Sequence, residues 1–325
     1  MRMASRVPAT APLRVGVFGG TGYTGDELLR LLAGQEHVKV GFATSRSSAG
    51  EPSRIPGLTF VHPDEAPTSE VDLVFLCLPH GDAATWVAGF QGDHSVVDLT
   101  ADHRPGSGRE AGWVYGLAER NAEEVKRASR VANPGCYPTG VLLALLPLRD
   151  AGIVDEGRLT VVDAASGVTG AGRTPRADLL FAEVSGNFRA YGEGNEHRHL
   201  REMRSLLPER SLLFQPHLLP VARGILETIT VPVKEGVGAE ELRKAWRDAY
   251  AGSAIVEVLD AGLPDLARVV HTDRLSLGAS EVARVAPSVV TAVAAFDNLG
   301  KGAAGQAVQN MNLMQGWPMD RGLRC

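Results

Sequence analysis

Several things are scarce in this chain. Its 325 residues include three cysteines, four tryptophans and five tyrosines, and no stretch reaches the ~18 uninterrupted apolar residues of a membrane-spanning helix. Three cysteines (Cys77, Cys136, Cys325) cannot build a disulfide framework, and none stands in a Cys-x-x-Cys spacing suited to zinc. Blocks of like charge are missing too. With a formal net charge of -5 there is no electrostatic reason to expect nucleic acid or a membrane surface as partner. The opening "MRMASRVPATAP" lacks the apolar core of an export signal, so a cytoplasmic location is expected. The length suffices for two domains, each with a core.

The first half alternates short apolar runs with amphipathic stretches. Strands are expected at 14–20, 37–45, 71–79 and 95–100, and helices at 25–34, 83–90 and 121–128. That alternation predicts a doubly wound parallel sheet. Beyond about residue 150 the runs are longer and β-branched: 158–164, 225–233, 254–260 and 288–296, interrupted by an amphipathic helix at 239–250. These predict an α+β domain with an antiparallel or mixed sheet. The small residues of "GKGAAGQAVQNMNLMQGW" suit a closely packed terminal helix that returns to the first domain.

"GGTGYTG" (Gly19, Gly20, Thr21, Gly22, Tyr23, Thr24, Gly25) follows a buried strand and opens a helix. Glycines there let the backbone turn tightly and approach a pyrophosphate, which then meets helix amides and the positive dipole end. The bland alternative is a tight turn without a ligand. At the tip of the second strand, Thr44, Ser45 and Arg46 stand where an NAD site usually has a carboxylate. Hydroxyls and a guanidinium suit a 2′-phosphate, so NADP is the expected cofactor; solvated loop residues are the alternative.

The thiols differ in setting. Cys77 lies inside an apolar run and reads as a packing residue, and Cys325 is terminal. Cys136 sits in "NPGCYPTG", before an apolar run that Pro138 marks as a helix starting near Tyr137. Helix-end amides and the dipole favour a thiolate there, so Cys136 is the candidate nucleophile. A nucleophilic cysteine beside a nicotinamide points to interconversion of an aldehyde and an activated acyl group through a thioester. In "GNEHRHLREMRSLL", a helix expected from about Arg198 puts His197 and His199 about 200° apart, so both cannot face one site unless the turn is irregular. His199 aligns with Met203 and is the candidate acid/base; His197 falls on the wetter side. A metal pair or structural histidines are the alternatives, and no third metal ligand is evident nearby.

The motifs "GVFGGTGYTG", "LPHG", "DLTADHR", "NPGCYPTG", "SGVTGAGR", "HRH", "PHLLPVARGIL" and "DNLGKGAAGQAVQNMN" occur in the order found in the N-acetyl-γ-glutamyl-phosphate reductase family of arginine biosynthesis, which the chain resembles over roughly residues 13–320. The resemblance implies the semialdehyde dehydrogenase architecture. A Rossmann-type NADP-binding domain (13–140) would be completed by a C-terminal helix (299–325), beside an α+β dimerisation and catalytic domain with a mixed sheet (141–298). It implies that Cys136 is the thioester nucleophile, that the His197/His199 pair supplies the acid/base, and that Ser166, Gly167 and Asn298 sit near the nicotinamide. Arg104 and Asn133 are the candidates for holding the leaving phosphate, with an ion pair and a turn residue as their bland readings. A small acyl-phosphate substrate, a homodimer or homotetramer, and no metal complete the expectation. The chain departs from the family at His103, Ala118 and Leu200–Glu202. The rival readings are sister enzymes acting on aspartyl or carrier-linked aminoadipyl phosphate, and a non-catalytic NADPH-sensing regulator.

Overall fold

The computed structural model describes residues 11–89, 94–207, 212–286 and 288–325. The opening segment as far as residue 10, and Phe90 of the helix expected at 83–90, lie outside them. The chain divides into two units, one formed by residues up to Gly135 together with Ala303–Arg324, the other by Cys136–Gly302.

The first unit runs β1 (Leu13–Phe18), α1 (Tyr23–Ala33), β2 (Val38–Thr44), β3 (Phe60–Val61), β4 (Leu73–Leu76), α2 (Asp82–Gly89), β5 (Ser95–Asp98), β6 (Val114–Tyr115), α3 (Ala118–Val125) and β7 (Arg130–Ala132). Its sheet has the order β3-β2-β1-β4-β5-β7-β6, and each pair of neighbours is parallel. Strands buried on both faces must be largely apolar, as "LVFL" is throughout and "LRVGVF" is apart from its exposed Arg14. On α1, Leu28, Leu29, Leu31 and Leu32 form the buried stripe, with Asp26 in the first turn and Arg30 in the last, as the helix dipole prefers.

The second unit runs α4 (Cys136–Asp150), β8 (Thr160–Gly167), α5 (Phe181–Val184), β9 (Arg189–Ala190), α6 (His199–Arg204), β10 (Leu212–Leu219), β11 (Ile225–Pro232), α7 (Ala239–Ala249), β12 (Val256–Val258), α8 (Leu266–Val269), β13 (Leu275–Glu281) and β14 (Val289–Phe296). Its sheet, β12-β13-β14-β11-β8-β10-β9, is mixed: β8 is parallel to β10 and antiparallel to β11. Helices α4 and α7 pack on this sheet. Strands β8, β10 and β11 bury alternate residues over much of their length, so Val162, Ile229 and Phe214 lie inside while Val161, Asp163, Leu213, Gln215 and Thr228 stay at least partly exposed on the other face.

Helix α4 is buried all round from Tyr137 to Leu148. Pro147 has no N–H to give to the carbonyl of Leu143 four residues back. The Tyr250 hydroxyl donates to that carbonyl instead, at 2.5 Å, and Trp246 Nε1 donates to the next one, Ala144, at 2.8 Å. A proline inside a buried helix is thereby tolerated.

Two expected boundaries are corrected. A division at residue 140 would cut α4, which runs unbroken from Cys136. The terminal helix expected over 299–325 is α9 (Gly305–Gln315), preceded by a wider π-type turn at Gly300–Ala304 and stopped by Gly316 at φ +73°. Glycine is the residue for that left-handed C-cap. Helix α9 packs within the first unit, where Val308, Met311 and Met314 join the core of Leu28, Leu32 and Val97.

Candidate active site

In the first unit, the turn between β1 and α1 is a glycine cradle. Gly19 has φ +77°, and a Cβ there would overlap the carbonyl of Cys77; a Cβ on Gly25 would overlap the carbonyl of Gly19. No side chain larger than hydrogen fits either place, and Gly22 caps α1 without any side-chain hydrogen bond. Backbone amides at a helix start, with no side chain over them, are what a pyrophosphate requires. Gly20 N donates to Thr44 O at 2.9 Å and Gly19 N to Thr44 Oγ1 at 3.2 Å, fastening the turn to the tip of β2. Ser45 is buried, with Oγ 3.2 Å from Thr21 Oγ1. Arg46 extends into solvent, its Nη1 3.6 Å from Asp82. The residues present therefore fit a dinucleotide.

Arg104 and Asn133 also lie in this unit, and both are buried. Arg104 donates from Nε to Asn133 O at 2.7 Å and from Nη2 to Leu99 O at 2.8 Å. Asn133 N donates to Asp98 O at 2.7 Å, and Asn310 Nδ2 to Asn133 Oδ1 at 3.0 Å. The guanidinium is thus buried and held against two carbonyls. His103, a departure from the family, shares the carboxylate of Asp98 at 2.7 Å and stacks on Trp113.

In the second unit, Cys136 is the first residue of α4 and half-buried. Tyr137 is buried, and its hydroxyl lies 2.9 Å from that of Tyr191. The rings of His197 and His199 lie 5.7 and 5.9 Å from that of Tyr137 and 4.9 Å from each other. The irregular turn that would let the two histidines approach each other is the one present. Helix α6 begins at His199 with Arg198 as its N-cap, so His197 precedes the helix and the 100° step per residue does not separate the rings.

His199 N–H donates to His197 Nδ1 at 3.2 Å. That ring nitrogen is an acceptor, so a neutral His197 carries its hydrogen on Nε2. Burial, helped by the neighbouring Arg198 charge, pushes His197 down to about 4, and it is neutral at ordinary pH.

Ser166, Gly167 and Asn298 come together in the same unit. Ser166 Oγ donates to Gly167 O at 3.1 Å, Gly167 N to Gly224 O at 2.9 Å, and Gly224 N to Asn298 Oδ1 at 2.8 Å. Asp297, fully buried, accepts from Arg223 Nε, His271 N and Leu299 N, which fixes the turn that carries Asn298.

Two features had gone unnoticed in the sequence. Tyr191 gives no local signal, six residues before His197. Glu227 does give one: it has the parity of Ile225, Ile229 and Val231 in β11 and so belongs to the buried row. It is fully buried between Ala164 and Ala294, and neither carboxyl oxygen has a hydrogen-bond partner among the described residues. Desolvation raises it well above the ordinary carboxyl range. It fits because residue 140 of α4 is glycine: a Cβ there would overlap Glu227 Oε2 and the ring of Phe296. Among the described residues, no group of three or more His, Cys, Asp or Glu is placed to hold a metal, and no helix is long and apolar enough to cross a membrane.

Comparison with known proteins places this geometry in a class. The semialdehyde dehydrogenase NAD-binding domain matches residues 14–128, and the semialdehyde dehydrogenase dimerisation domain matches 136–298. Aspartate semialdehyde dehydrogenase II from Vibrio cholerae shares the fold, with a TM-score of 0.75 at 22% identity over 93% of this chain and 98% of that one. So does aspartate semialdehyde dehydrogenase from Candida albicans, solved with NADP, with a TM-score of 0.70 at 18% identity over 94% of this chain and 99% of that one. Closer in sequence are N-acetyl-gamma-glutamyl-phosphate reductases, from Salinispora arenicola (42% identical over 96% of this chain and 97% of the relative) and Geotalea daltonii (40%, over 96% and 98%). The chain belongs to the N-acetyl-gamma-glutamyl-phosphate reductase family.

Proposed function

We propose that this chain reduces N-acetyl-γ-glutamyl phosphate to N-acetylglutamate semialdehyde and phosphate, a step of arginine biosynthesis, through a thioester on Cys136. The observation that carries the reading is the half-buried Cys136 at the start of α4, in the same unit as a paired His197 and His199. Amides at that helix start favour the thiolate and supply donors for a carbonyl oxygen as charge develops on it.

The Cys136 thiolate attacks the acyl carbon, and the carbon–oxygen bond to phosphate breaks. Arg104, held in a fixed plane by two carbonyls, and Asn133 are our candidates for the departing phosphate. NADPH, when bound, would supply the hydride that reduces the thioester. His199 then protonates the alkoxide and takes the proton back as the hemithioacetal carbon–sulfur bond breaks. His197, neutral with its hydrogen on Nε2, is the second candidate for that exchange. Ser166, Gly167 and Asn298 face the nicotinamide end. Gly19, Gly20, Thr21, Gly22, Tyr23, Thr24 and Gly25 hold the pyrophosphate, and Ser45 and Arg46 take the 2′-phosphate that favours NADP over NAD.

We assign the NADP site to the first unit and catalysis with self-association to the second. The partly exposed face of the second sheet, with Val161, Asp163, Gln215 and Thr228, suits a second copy of this chain. We infer a homodimer or a pair of such dimers, acting in the cytoplasm.

The test is turnover in the reverse direction. Purified protein with NADP, N-acetylglutamate semialdehyde and phosphate should form NADPH, and Cys136→Ser should not. Activity with aspartate semialdehyde instead would move the pathway; a nucleotide-binding protein inert toward every semialdehyde would be a regulator.

A further inference from the structure

The segment that joins β9 to α6 passes through three left-handed residues, Gly192 at φ +66°, Gly194 at +72° and Asn195 at +59°. Glycine takes that conformation freely, and asparagine is among the few other residues that tolerate it. The Asn195 carboxamide is committed to β10. Its Nδ2 donates to Leu212 O at 3.0 Å, and its Oδ1 accepts from Phe214 N–H at 2.9 Å. Backbone groups two residues apart lie on one edge of a strand, and these two share the parity of Pro216, whose carbonyl accepts from Tyr191 N–H at 3.0 Å on the β9 side. Strand β8 pairs along the whole of Leu212–Leu219 on the opposite edge, whereas β9 covers only His217 and Leu218. Asn195 therefore stands in for the strand that stops short: one side chain completes the edge at Leu212 and Phe214.

Phe214 also meets the histidines. Its ring lies 5.5 Å from that of His197 and 5.1 Å from that of Tyr137. His197, two residues beyond Asn195, is 5.7 Å from the Tyr191 ring, and its Nδ1 accepts from the N–H of His199, where α6 begins. Asn195 thus holds Phe214 by the backbone, Phe214 packs on His197 by the ring, and His197 fastens the start of α6. We propose that Asn195 is the positioning residue of the histidine pair, its carboxamide replacing a missing strand partner on β10 so that His197 and His199 are presented in one fixed arrangement. The catalytic consequence rests on the reading that this pair exchanges the proton of the thioester reduction, and Asn195 acts on the reaction only through the pair.

A plain turn residue needs only the left-handed φ, whereas a positioning residue needs the carboxamide. Glycine separates the two, because it supplies the first without steric cost and lacks the second. In Asn195→Gly the segment is released from the β10 edge, and the His197 ring gains solvent. Its midpoint, pushed down to about 4 by burial and then by the Arg198 charge, should rise by about one to two pH units toward the ordinary 6.5. A displaced acid/base should lower kcat about ten- to a hundredfold. KM for the acyl phosphate and the Kd of NADPH should move less than about threefold, since Asn195 is placed at neither ligand. The substitution alters no charge: Arg198 beside His197, the hydroxyls of Tyr137 on α4 and of Tyr191, and His199 of α6 are the same in both proteins.

The experiment makes two measurements on the full chain, wild type and Asn195→Gly: a nuclear magnetic resonance titration of the His197 imidazole, and steady-state turnover of N-acetyl-γ-glutamyl phosphate with NADPH. A raised midpoint together with a lowered kcat supports the proposal. An unmoved midpoint overturns it, because Asn195 is then a turn residue alone. A raised midpoint with wild-type kcat supports the anchor and sinks the histidine reading instead. Should Asn195→Gly fail to fold, hydrogen exchange in the unaltered protein decides. The Phe214 N–H is held by a side chain rather than by a strand, so exchange at Phe214 slowed more than about tenfold supports the anchor, and exchange at the rate of an open amide overturns it.

Discussion

Replacing Glu227 by glutamine isolates one buried proton. The carboxyl is fully buried without a hydrogen-bond partner, and desolvation raises its proton affinity in the folded state. Its folded value lies above the unfolded one of about 4.3, so the stability linked to it is complete below about pH 4.3 and is lost as pH rises toward the folded value. Within that window the wild type should lose about 1.4 kcal/mol per pH unit from this group alone. For a unit of this size that corresponds to roughly 3–5 °C in Tm per pH unit. Glutamine has the same shape and no proton to lose. It leaves an amide unpaired, an offset of about 1–3 kcal/mol that does not depend on pH. The assay is a thermal melt of both proteins from about pH 4.5 to about pH 8, plotted as the difference in Tm, in which other titrating groups cancel. The wild type should lose ground to Glu227→Gln steadily as pH rises. Parallel curves, or a wild type that gains with pH, would refute the buried-acid argument.

Three further outcomes follow from the packing and the site. Gly140→Ala should destabilise by about 1–3 kcal/mol through overlap with Glu227 and Phe296, and adding Glu227→Ala should recover part of that loss in a double-mutant cycle. Nuclear magnetic resonance should find the His197 imidazole neutral at pH 6 and titrating near 4; a midpoint near the ordinary 6.5 would show the ring to be solvated. Thr228→Arg, near the middle of the partly exposed sheet face, should convert the assembly to monomers in light scattering, and an unchanged mass would place the contact elsewhere.

The parallel sheet was legible because its strands are short, mostly apolar runs between amphipathic stretches: 14–20 became Leu13–Phe18 and 37–45 became Val38–Thr44. The amphipathic stripe Ala239, Leu242 and Trp246 likewise marked α7 to within a residue. Strand β10 was missed because "LLFQPHLL" carries a proline, which argues against an interior strand. Its neighbour β9 is two residues long, so the segment lies almost at the sheet edge. The thiol was readable from local chemistry, since Pro138 announces the helix that Cys136 begins. The histidine pair was left dependent on the regularity of the turn, because one residue in the helix start reverses whether two rings converge. Tyr191 is brought to Tyr137 only by tertiary structure, 54 residues away in sequence. Glu227 could have been found, being a carboxylate at a core position of an otherwise regular strand.

The central claim is covalent, and it is tested most directly by mass. Wild-type protein mixed with N-acetyl-γ-glutamyl phosphate in the absence of nucleotide should release phosphate in an amount matching its active sites and carry an N-acetylglutamyl group on the peptide containing Cys136, while Cys136→Ser should do neither. Phosphate release that waits for NADPH, with no adduct on Cys136 at any time, would contradict a thioester and with it the mechanism.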